Sequence, residues 1–236
     1  MTYCVAMRLA SGMIFVSDSR TNAGVDHIST FKKLHVFQRG DDRTLIMQSA
    51  GNLATTQSVI NLLQHRAQDA TTQNLYTVSS LYDAAVLVGQ TLKEVIARDG
   101  ADFTATFILG GQIHGESMRL FHIYAEGNFI EATSDTPYFQ IGESKYGKPI
   151  IDRIVSYDTS LEQAVQCALI SMDSTLNSNL SVGLPLDVMM YHAETFDDSQ
   201  QYAITAQHEY FSEIRNMWGS CLRSVFDQLP PLRLRG

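Results

Sequence analysis

The chain has 236 residues, a formal net charge of −8, and 44% hydrophobic and 18% charged residues. This length is sufficient to bury a large core, and the composition is ordinary for a globular protein. The acidic balance argues against nucleic acid as a partner, because phosphate contacts require clustered Lys and Arg. No stretch approaches the roughly 20 apolar residues of a membrane span, so we expect no membrane partner.

Three cysteines, Cys4, Cys167 and Cys221, are odd in number and far apart along the chain. This spacing suits a reducing compartment, in which each thiol packs as a small apolar group. The first residues lack the basic and apolar regions of a signal peptide. We therefore expect a cytoplasmic protein.

Short segments rich in Val, Ile, Phe and Tyr begin the chain and are typical of strands. They are predicted at 3–7, 13–17, 34–38 and 44–48. Helices are predicted at 55–68 and 79–99, the second with an apolar stripe at three- and four-residue steps.

Strands return at 104–109, 118–124, 128–132 and 138–141, with Gly110-Gly111 and Glu126-Gly127 predicted at hairpins. Helices at 144–155 and 160–178, strands at 186–192 and 202–206, and a last helix at 208–229 complete the prediction. Strands in runs and helices in pairs indicate an α+β fold, with two sheets stacked between helix layers. One domain over 1–236 accommodates this order.

Thr2 is the first residue with a candidate chemical role. Met1 precedes a small side chain, a setting in which the initiator Met is commonly removed. Removal would leave a threonine whose α-amine, with a reference pKa of about 7.7–8.0, can accept the proton of its own hydroxyl. On its own, a chain that begins Met-Thr is common and indicates little.

Three further positions carry groups that would assist a nucleophile at Thr2. Asp18 ends a strand-like segment, Lys32-Lys33 begins another, and Gly51 stands where a strand gives way to a helix. Individually they are typical of a solvated turn, edge protection and a turn glycine. Together they supply an ammonium that lowers the pKa of a nearby amine, a carboxylate that holds it, and N–H donors for an oxyanion.

These residues, in this order, resemble the proteasome β-subunits and HslV. The resemblance continues through three further motifs: Ile108-Leu109-Gly110-Gly111, Ile141-Gly142-Glu143-Ser144 and Gly183-Leu184-Pro185-Leu186-Asp187-Val188. It spans nearly the whole chain, and the stretch 141–148, the segment 179–187 and the extra C-terminal helix look most like the bacterial Anbu, or ancestral β-subunit, branch. It implies a four-layer αββα sandwich of the N-terminal-nucleophile type, without a cofactor or metal.

The resemblance also implies roles for individual residues. Thr2 matches the nucleophile and base, Asp18 the acid, Lys33 the lysine that it holds, and Gly51 the oxyanion residue. Thr21 and Asn22 match the backbone that pairs with a bound peptide, and Gly51 and Leu53 complete the expected substrate-binding residues.

The supporting residues depart from the family pattern. Glu143 stands where the family has a supporting serine, so Ser144, one position later, takes that expected role. Asn179 stands where an acid is expected, and Ser181 meets the family's second serine only approximately. These changes concern the groups that tune the amine.

Other chemistries fit poorly. Ser29-Thr30-Phe31-Lys32 has the Ser-x-x-Lys pattern of penicillin-binding enzymes but leads into a strand and lacks the partner motif Lys-Thr-Gly. The seven histidines show no metal-ligand spacing, and there is no phosphate-binding glycine loop.

Three functions stay open. The first is a threonine peptidase within a self-compartmentalised homo-oligomer, acting on peptides or unfolded protein. The second is an amidase for short peptides or small amides, and the third is a catalytically silent scaffold subunit. The sequence does not indicate whether an ATP-driven unfoldase docks.

Overall fold

The computed structural model describes residues 1–22, 28–69 and 71–232. In chain order, the strands are β1 (Tyr3–Leu9), β2 (Gly12–Asp18), β3 (Arg20–Asn22), β4 (Ile28–Thr30), β5 (Leu34–Arg39), β6 (Arg43–Gly51), β7 (Ala105–Ile113), β8 (Arg119–Ile123), β9 (Phe129–Glu131), β10 (Tyr138–Gly142), β11 (Leu186–His192) and β12 (Gln201–Ile204). The helices are α1 (Leu53–Arg66), α2 (Leu81–Asp99), α3 (Lys148–Ile154), α4 (Leu161–Ser178) and α5 (Glu209–Asp227). Within the ranges described, no helix is long and apolar enough to cross a bilayer.

Two antiparallel five-stranded sheets form the centre of the molecule. The first sheet has the strand order β10-β1-β2-β11-β12, and the second has the order β5-β6-β7-β8-β9. β3 and β4 form a separate two-stranded sheet. Every residue of β2 is buried, because β2 lies between β1 and β11 and its two faces meet the opposite sheet and a helix layer.

Three apolar clusters join four layers. α1 and α2 pack on the second sheet around Leu63, Leu92 and Phe107. The two sheets meet through a cluster that includes Phe15 and Ile108. The third cluster packs α3 and α4 on the outer face of the first sheet. The layer order is therefore α–β–β–α, and the predicted α+β sandwich is confirmed.

The prediction of a hairpin at Gly110-Gly111 is wrong. β7 continues through both glycines to Ile113, and the turn follows at 113–116. A Cβ on Gly110 would lie 2.7 Å from Met13 Cε and 2.9 Å from Phe15 Cζ, and one on Gly111 would overlap the carbonyl oxygen of Thr44. Glycine is needed at these two positions because the first sheet and a neighbouring strand approach closely, and not because the chain turns there.

Two other boundaries differ from the prediction. α3 begins at Lys148 rather than Ser144, because the chain turns first and Gly147 is packed against the hydroxyls of Tyr3 and Ser171. α1 begins at Leu53 rather than Thr55, since the side chain of Asn52 caps its first turn. The short strands β3 and β4 had no counterpart in the prediction.

The C-terminal helix α5 divides into two parts. Phe211 is 1% exposed and lies in the cluster between the first sheet and α4, and Ile214 packs against the same cluster. Beyond this turn four apolar side chains are more than half exposed, Met217 57%, Leu222 51%, Val225 59% and Phe226 72%, whereas Trp218 is partly buried. The predicted apolar stripe thus covers the subunit's own core only at its N-terminal end.

The surroundings of Gly89 in α2 and Gly219 in α5 predict opposite effects of an alanine substitution on the free energy of unfolding. A Cβ on Gly89 would overlap the carbonyl oxygen of Gly127, whereas nothing lies within 4 Å of one on Gly219. We expect Gly219→Ala to raise the free energy of unfolding by roughly 0.5–1 kcal/mol, the usual gain for alanine in a helix. Gly89→Ala should lower it by about 1–3 kcal/mol through overpacking. Urea denaturation measures both, and a change of the same sign in both variants would contradict the packing described for α2.

Candidate active site

Thr2 lies immediately before β1 and is held by its backbone. Its carbonyl oxygen accepts a hydrogen bond from the N–H of Glu143 at 2.8 Å. Gly142 pairs with Tyr3 at the end of β10, with φ of +80°, and a Cβ at this position would overlap the carbonyl oxygen of Thr2. The Ile-Gly step before Glu143 is therefore the backbone that fixes the position of Thr2.

Asp18, at the end of β2, is fully buried. Its Oδ1 accepts hydrogen bonds from the backbone N–H of Tyr3 at 3.0 Å and from Lys33 Nζ at 2.7 Å. Its Oδ2 accepts from the N–H of Gly183 at 3.3 Å. One carboxylate thus connects the residue after Thr2, the lysine, and the loop that leads into β11.

Lys33 precedes β5 and is 5% exposed. Besides the ion pair with Asp18, its ammonium donates to the carbonyl oxygen of Arg20 at 2.7 Å. The neighbouring Lys32 is exposed. The structure therefore brings Lys33, and not the adjacent Lys32, to Asp18. This ion pair joins the end of β2 in the first sheet to the start of β5 in the second.

Burial sets the ionisation of this region. It raises the pKa of the Asp18 carboxyl, and the Lys33 ammonium and the N–H donors of Tyr3 and Gly183 oppose that rise. Burial also raises the pKa of the Cys4 thiol, which is fully enclosed two residues after Thr2. Cys4 therefore stays protonated at neutral pH and does not compete as a nucleophile.

Gly51 closes β6 beside the start of α1. Its φ is +116°, and a Cβ would lie 2.6 Å from the carbonyl oxygen of Thr104. The next residue, Asn52, caps α1 by accepting from the N–H of Thr55 at 3.1 Å. The first turn of α1 holds no acidic residue. The positive end of the helix therefore lies next to Gly51, as an oxyanion site requires.

A cavity of about 540 Å³, here called the Thr2 cavity, joins these elements. Thr2, Lys33, Gly51 and Leu53 all contribute to its lining. One wall consists of Phe31–Lys33, His35 and Ser49–Gly51, and the facing wall is a stripe of α1. Met1, 61% exposed, also lies in the lining.

Three expected residues remain: Thr21, Asn22 and Ser144. Thr21 and Asn22 belong to β3, whose register with β4 places them opposite Ser29 and Ile28. Ser144 follows Glu143 in the turn beside Thr2, where its N–H donates to the carbonyl oxygen of Gly142 at 2.9 Å, but Ser144 does not line the Thr2 cavity. Ser144 thus makes no contact in the Thr2 cavity that would support the role implied by the resemblance.

The loop of residues 179–183 forms a local turn beside Asp18. Asn179 accepts through Oδ1 from the N–H of Ser181 at 2.9 Å, and the N–H of Val182 donates to the carbonyl oxygen of Asn179 at 3.2 Å. The carboxylate that the family pattern calls for at this position is replaced by an amide that shapes the turn.

The sequence reasoning missed two partners of the ion pair, Gly183 and the carbonyl group of Arg20. A Cβ on Gly183 would overlap the Arg20 guanidinium, whose Nη1 also donates to the carbonyl oxygen of Leu180 at 3.3 Å. The motif Gly183-Leu184-Pro185 was visible in the sequence. The hydrogen bond that Gly183 donates to Asp18 can be seen only in the fold, because 165 residues separate the two.

No cluster of His, Cys, Asp or Glu that could hold a metal ion occurs among the residues described here. Thr2, with its hydroxyl, and the Lys33 ammonium, paired with the Asp18 carboxylate, lie together at the Thr2 cavity. These are the parts of an N-terminal nucleophile site.

Comparisons with known proteins agree with this geometry. The family model described as "Proteasome subunit" matches residues 2–188. Anbu from Yersinia bercovieri is 68% identical, with a TM-score of 0.96 over 99% of this chain and 100% of that one. A structure described as "Helical Assembly of the Anbu Complex from Pseudomonas aeruginosa" is 52% identical, with a TM-score of 0.94 over 98% of each chain.

Anbu from Hyphomicrobium sp. strain MC1 is 47% identical, with a TM-score of 0.94 over 99% of this chain and 100% of that one. A comparison with curated proteins found no match. The chain belongs to the proteasome subunit family and, within it, to the Anbu branch. The family membership makes it a proteasome-like N-terminal-nucleophile hydrolase.

The buried ion pair predicts a characteristic dependence of stability on pH. Lys33→Met leaves the Asp18 carboxyl without its cation, which should cost about 3–5 kcal/mol while that carboxyl is ionised. Since burial already raises the pKa of Asp18, the folded variant binds a proton more tightly than the unfolded chain. The loss should be smallest below the unfolded pKa of about 3.9, grow as pH rises from that value toward the folded pKa, and level off above it.

Urea denaturation of Lys33→Met and wild type across this pH range measures the difference. The double variant Asp18→Asn, Lys33→Met is the matched control, because it has no buried carboxyl to ionise. It should be more stable than Lys33→Met at neutral pH and show little of the pH dependence. An equal and pH-independent loss in both variants would show that the ion pair does not govern this region.

Proposed function

We propose that this protein is a threonine peptidase in which Thr2, after removal of Met1, is both nucleophile and base. The observation that carries the proposal is the buried Lys33–Asp18 pair at 2.7 Å beside a cavity that Thr2, Lys33 and Gly51 line together. An ion pair buried in the cleft between two sheets costs desolvation free energy, and a catalytic use accounts for its presence.

In the proposed reaction the free α-amine of Thr2 accepts the hydroxyl proton while the Thr2 oxygen attacks a peptide carbonyl carbon. The ammonium of Lys33 favours the neutral amine and the developing alkoxide, because a nearby positive charge lowers the pKa of both groups. The Gly51 N–H stabilises the oxyanion. The protonated amine then delivers its proton to the leaving nitrogen as the C–N bond breaks, which leaves an ester on Thr2.

Water completes the cycle. The α-amine accepts a proton from the water, the hydroxide attacks the ester carbonyl, and Thr2 leaves with that proton restored to its oxygen. Asp18 takes no proton in these steps. Its role is to hold the Lys33 side chain in place, and the hydrogen bond from Tyr3 N–H ties the same carboxylate to the strand that follows Thr2.

The substrate is proposed to bind as an added strand. β3 is an edge strand of a two-stranded sheet, and its carbonyl at Arg20 is already directed to Lys33. A peptide paired with the backbone of Thr21 and Asn22 would be carried past the Thr2 cavity toward Gly51, with Leu53 beneath one of its side chains. Peptides and unfolded segments fit this geometry because they offer extended backbone.

Substitution of the nucleophile is the direct test. Thr2→Ala should reduce hydrolysis of a fluorogenic peptide amide by roughly a thousandfold or more, because groups that act as a unit fail together. Asp18→Asn, Lys33→Met should lose a comparable amount while keeping the fold by circular dichroism. Lys93→Ala, an exposed lysine of α2, is the control and should retain full activity.

Intact mass measurement must accompany these assays, since only chains without Met1 have the free amine. A Thr2→Ala variant that keeps wild-type activity would refute the mechanism. A processed wild-type protein that neither hydrolyses peptides nor reacts at Thr2 with a β-lactone would instead support the silent-scaffold alternative.

We further propose that the protein assembles with itself in the cytoplasm through the outer half of α5. The Pseudomonas aeruginosa relative is described as a helical assembly, and Met217, Leu222, Val225 and Phe226 of α5 are more than half exposed in a single subunit. Exposed apolar surface of this kind is typical of an interface. Homo-oligomers form contacts from surface that every copy shares.

The two parts of α5 call for different substitutions. Removal of the chain from His208 onward would also expose the subunit's own core at Phe211, so the outer half should be changed alone. Leu222→Ser with Phe226→Ser should shift the protein to smaller species in analytical ultracentrifugation, with unchanged circular dichroism. Ile130→Ser, at a side chain 47% exposed on β9, is the control. Retention of the full assembly by the α5 variant would exclude this helix as the contact.

A further inference from the structure

The Thr2 cavity has an uneven charge. Two lysines, Lys32 and Lys33, contribute to its lining, and the described residues that line it include no Asp or Glu. The charge of Lys33 is balanced by Asp18 at 2.7 Å. Lys32 makes no ion pair within 4.0 Å with any residue in the described part of the chain, so its ammonium is available to a ligand.

Other groups of the walls add to the positive potential. The N-terminal end of α1 faces this region, with no acidic side chain in its first turn. Burial, and next the Lys32 ammonium, lower the pKa of His35 to about 4, so the imidazole is neutral at pH 7. Gln57, Asn61 and Gln64 place carboxamide groups along the α1 wall, and each can donate N–H bonds.

One carboxylate opposes this field from outside the cavity. Asp187 shares with Lys32 a smaller cavity of about 190 Å³ on the other side of the lysine. Burial raises the pKa of Asp187, and Lys32 and Lys33 act against that rise. Asp187 does not line the Thr2 cavity, whereas Lys32 and the three carboxamide side chains do.

We propose that the Thr2 cavity selects an acidic side chain, so that the preferred substrates carry Glu or Asp at the residue whose carbonyl Thr2 attacks. Lys32 is the specificity-determining residue, since it is the cation in the lining without a carboxylate partner among the described residues. The apolar groups Phe31, Leu53 and Ile60 contact the aliphatic part of the side chain. This inference rests on the proposed function for its catalytic meaning, but the binding preference stands without turnover.

Binding to the inactive protein tests the preference directly. Three fluorescent peptides that differ only in a C-terminal Glu, Leu or Lys are titrated against processed Thr2→Ala and followed by anisotropy. We expect the Glu peptide to bind about tenfold more tightly than the Lys peptide, a difference of about 1.4 kcal/mol. Lys32→Glu in the same background should reverse that order, and Lys93→Glu, with the same change of net charge, should preserve it.

The hydrolysis of matching peptide amides separates the two proposals. Binding order as expected, without hydrolysis by processed wild type, would overturn the peptidase proposal and support the acidic preference. Hydrolysis in which Leu or Lys is preferred, or a binding order that Lys32→Glu does not change, would overturn the acidic preference and leave the peptidase standing.

Discussion

The buried ion pair between Lys33 and Asp18 joins the two sheets beside Tyr3, where the first strand begins. Asp18 lies at the end of β2 in the first sheet, and Lys33 lies just before β5 in the second. Because the carboxylate also accepts from Tyr3 and Gly183, four segments far apart in sequence converge on a single side chain. The position of Thr2, the start of β3 and the loop before β11 all depend on this contact.

Much of the fold was accessible from the sequence because its patterns are local. β11 was predicted at its observed bounds, 186–192, since it is a mostly apolar run between Gly183-Leu184-Pro185 and a polar loop. α2 and α4 were placed within two residues because each carries a serine cap and a regular apolar stripe. Gly110-Gly111 misled the prediction, since glycine serves both tight turns and close packing and only the opposite sheet shows which.

The same distinction between local patterns and long-range contacts applies to the candidate site. Thr2, Asp18, Lys33 and Gly51 could be singled out because their chemistry is recognisable in order along the chain. The structure adds the partners that no local pattern encodes, such as the N–H of Gly183 and the carbonyl of Arg20. Burial distinguishes the two adjacent lysines, since Lys33 is 5% exposed and paired with Asp18, whereas Lys32 is exposed.

The position of Met1 has a consequence for how the protein would be switched on. Met1 lies in the lining of the Thr2 cavity, with its side chain largely open to solvent. The unprocessed chain therefore holds its own first residue where a substrate would lie, as a built-in competitor at the mouth of the site. Under the proposed mechanism, a single cleavage would release the amine and vacate that space together, so one event would both create the base and open the cavity.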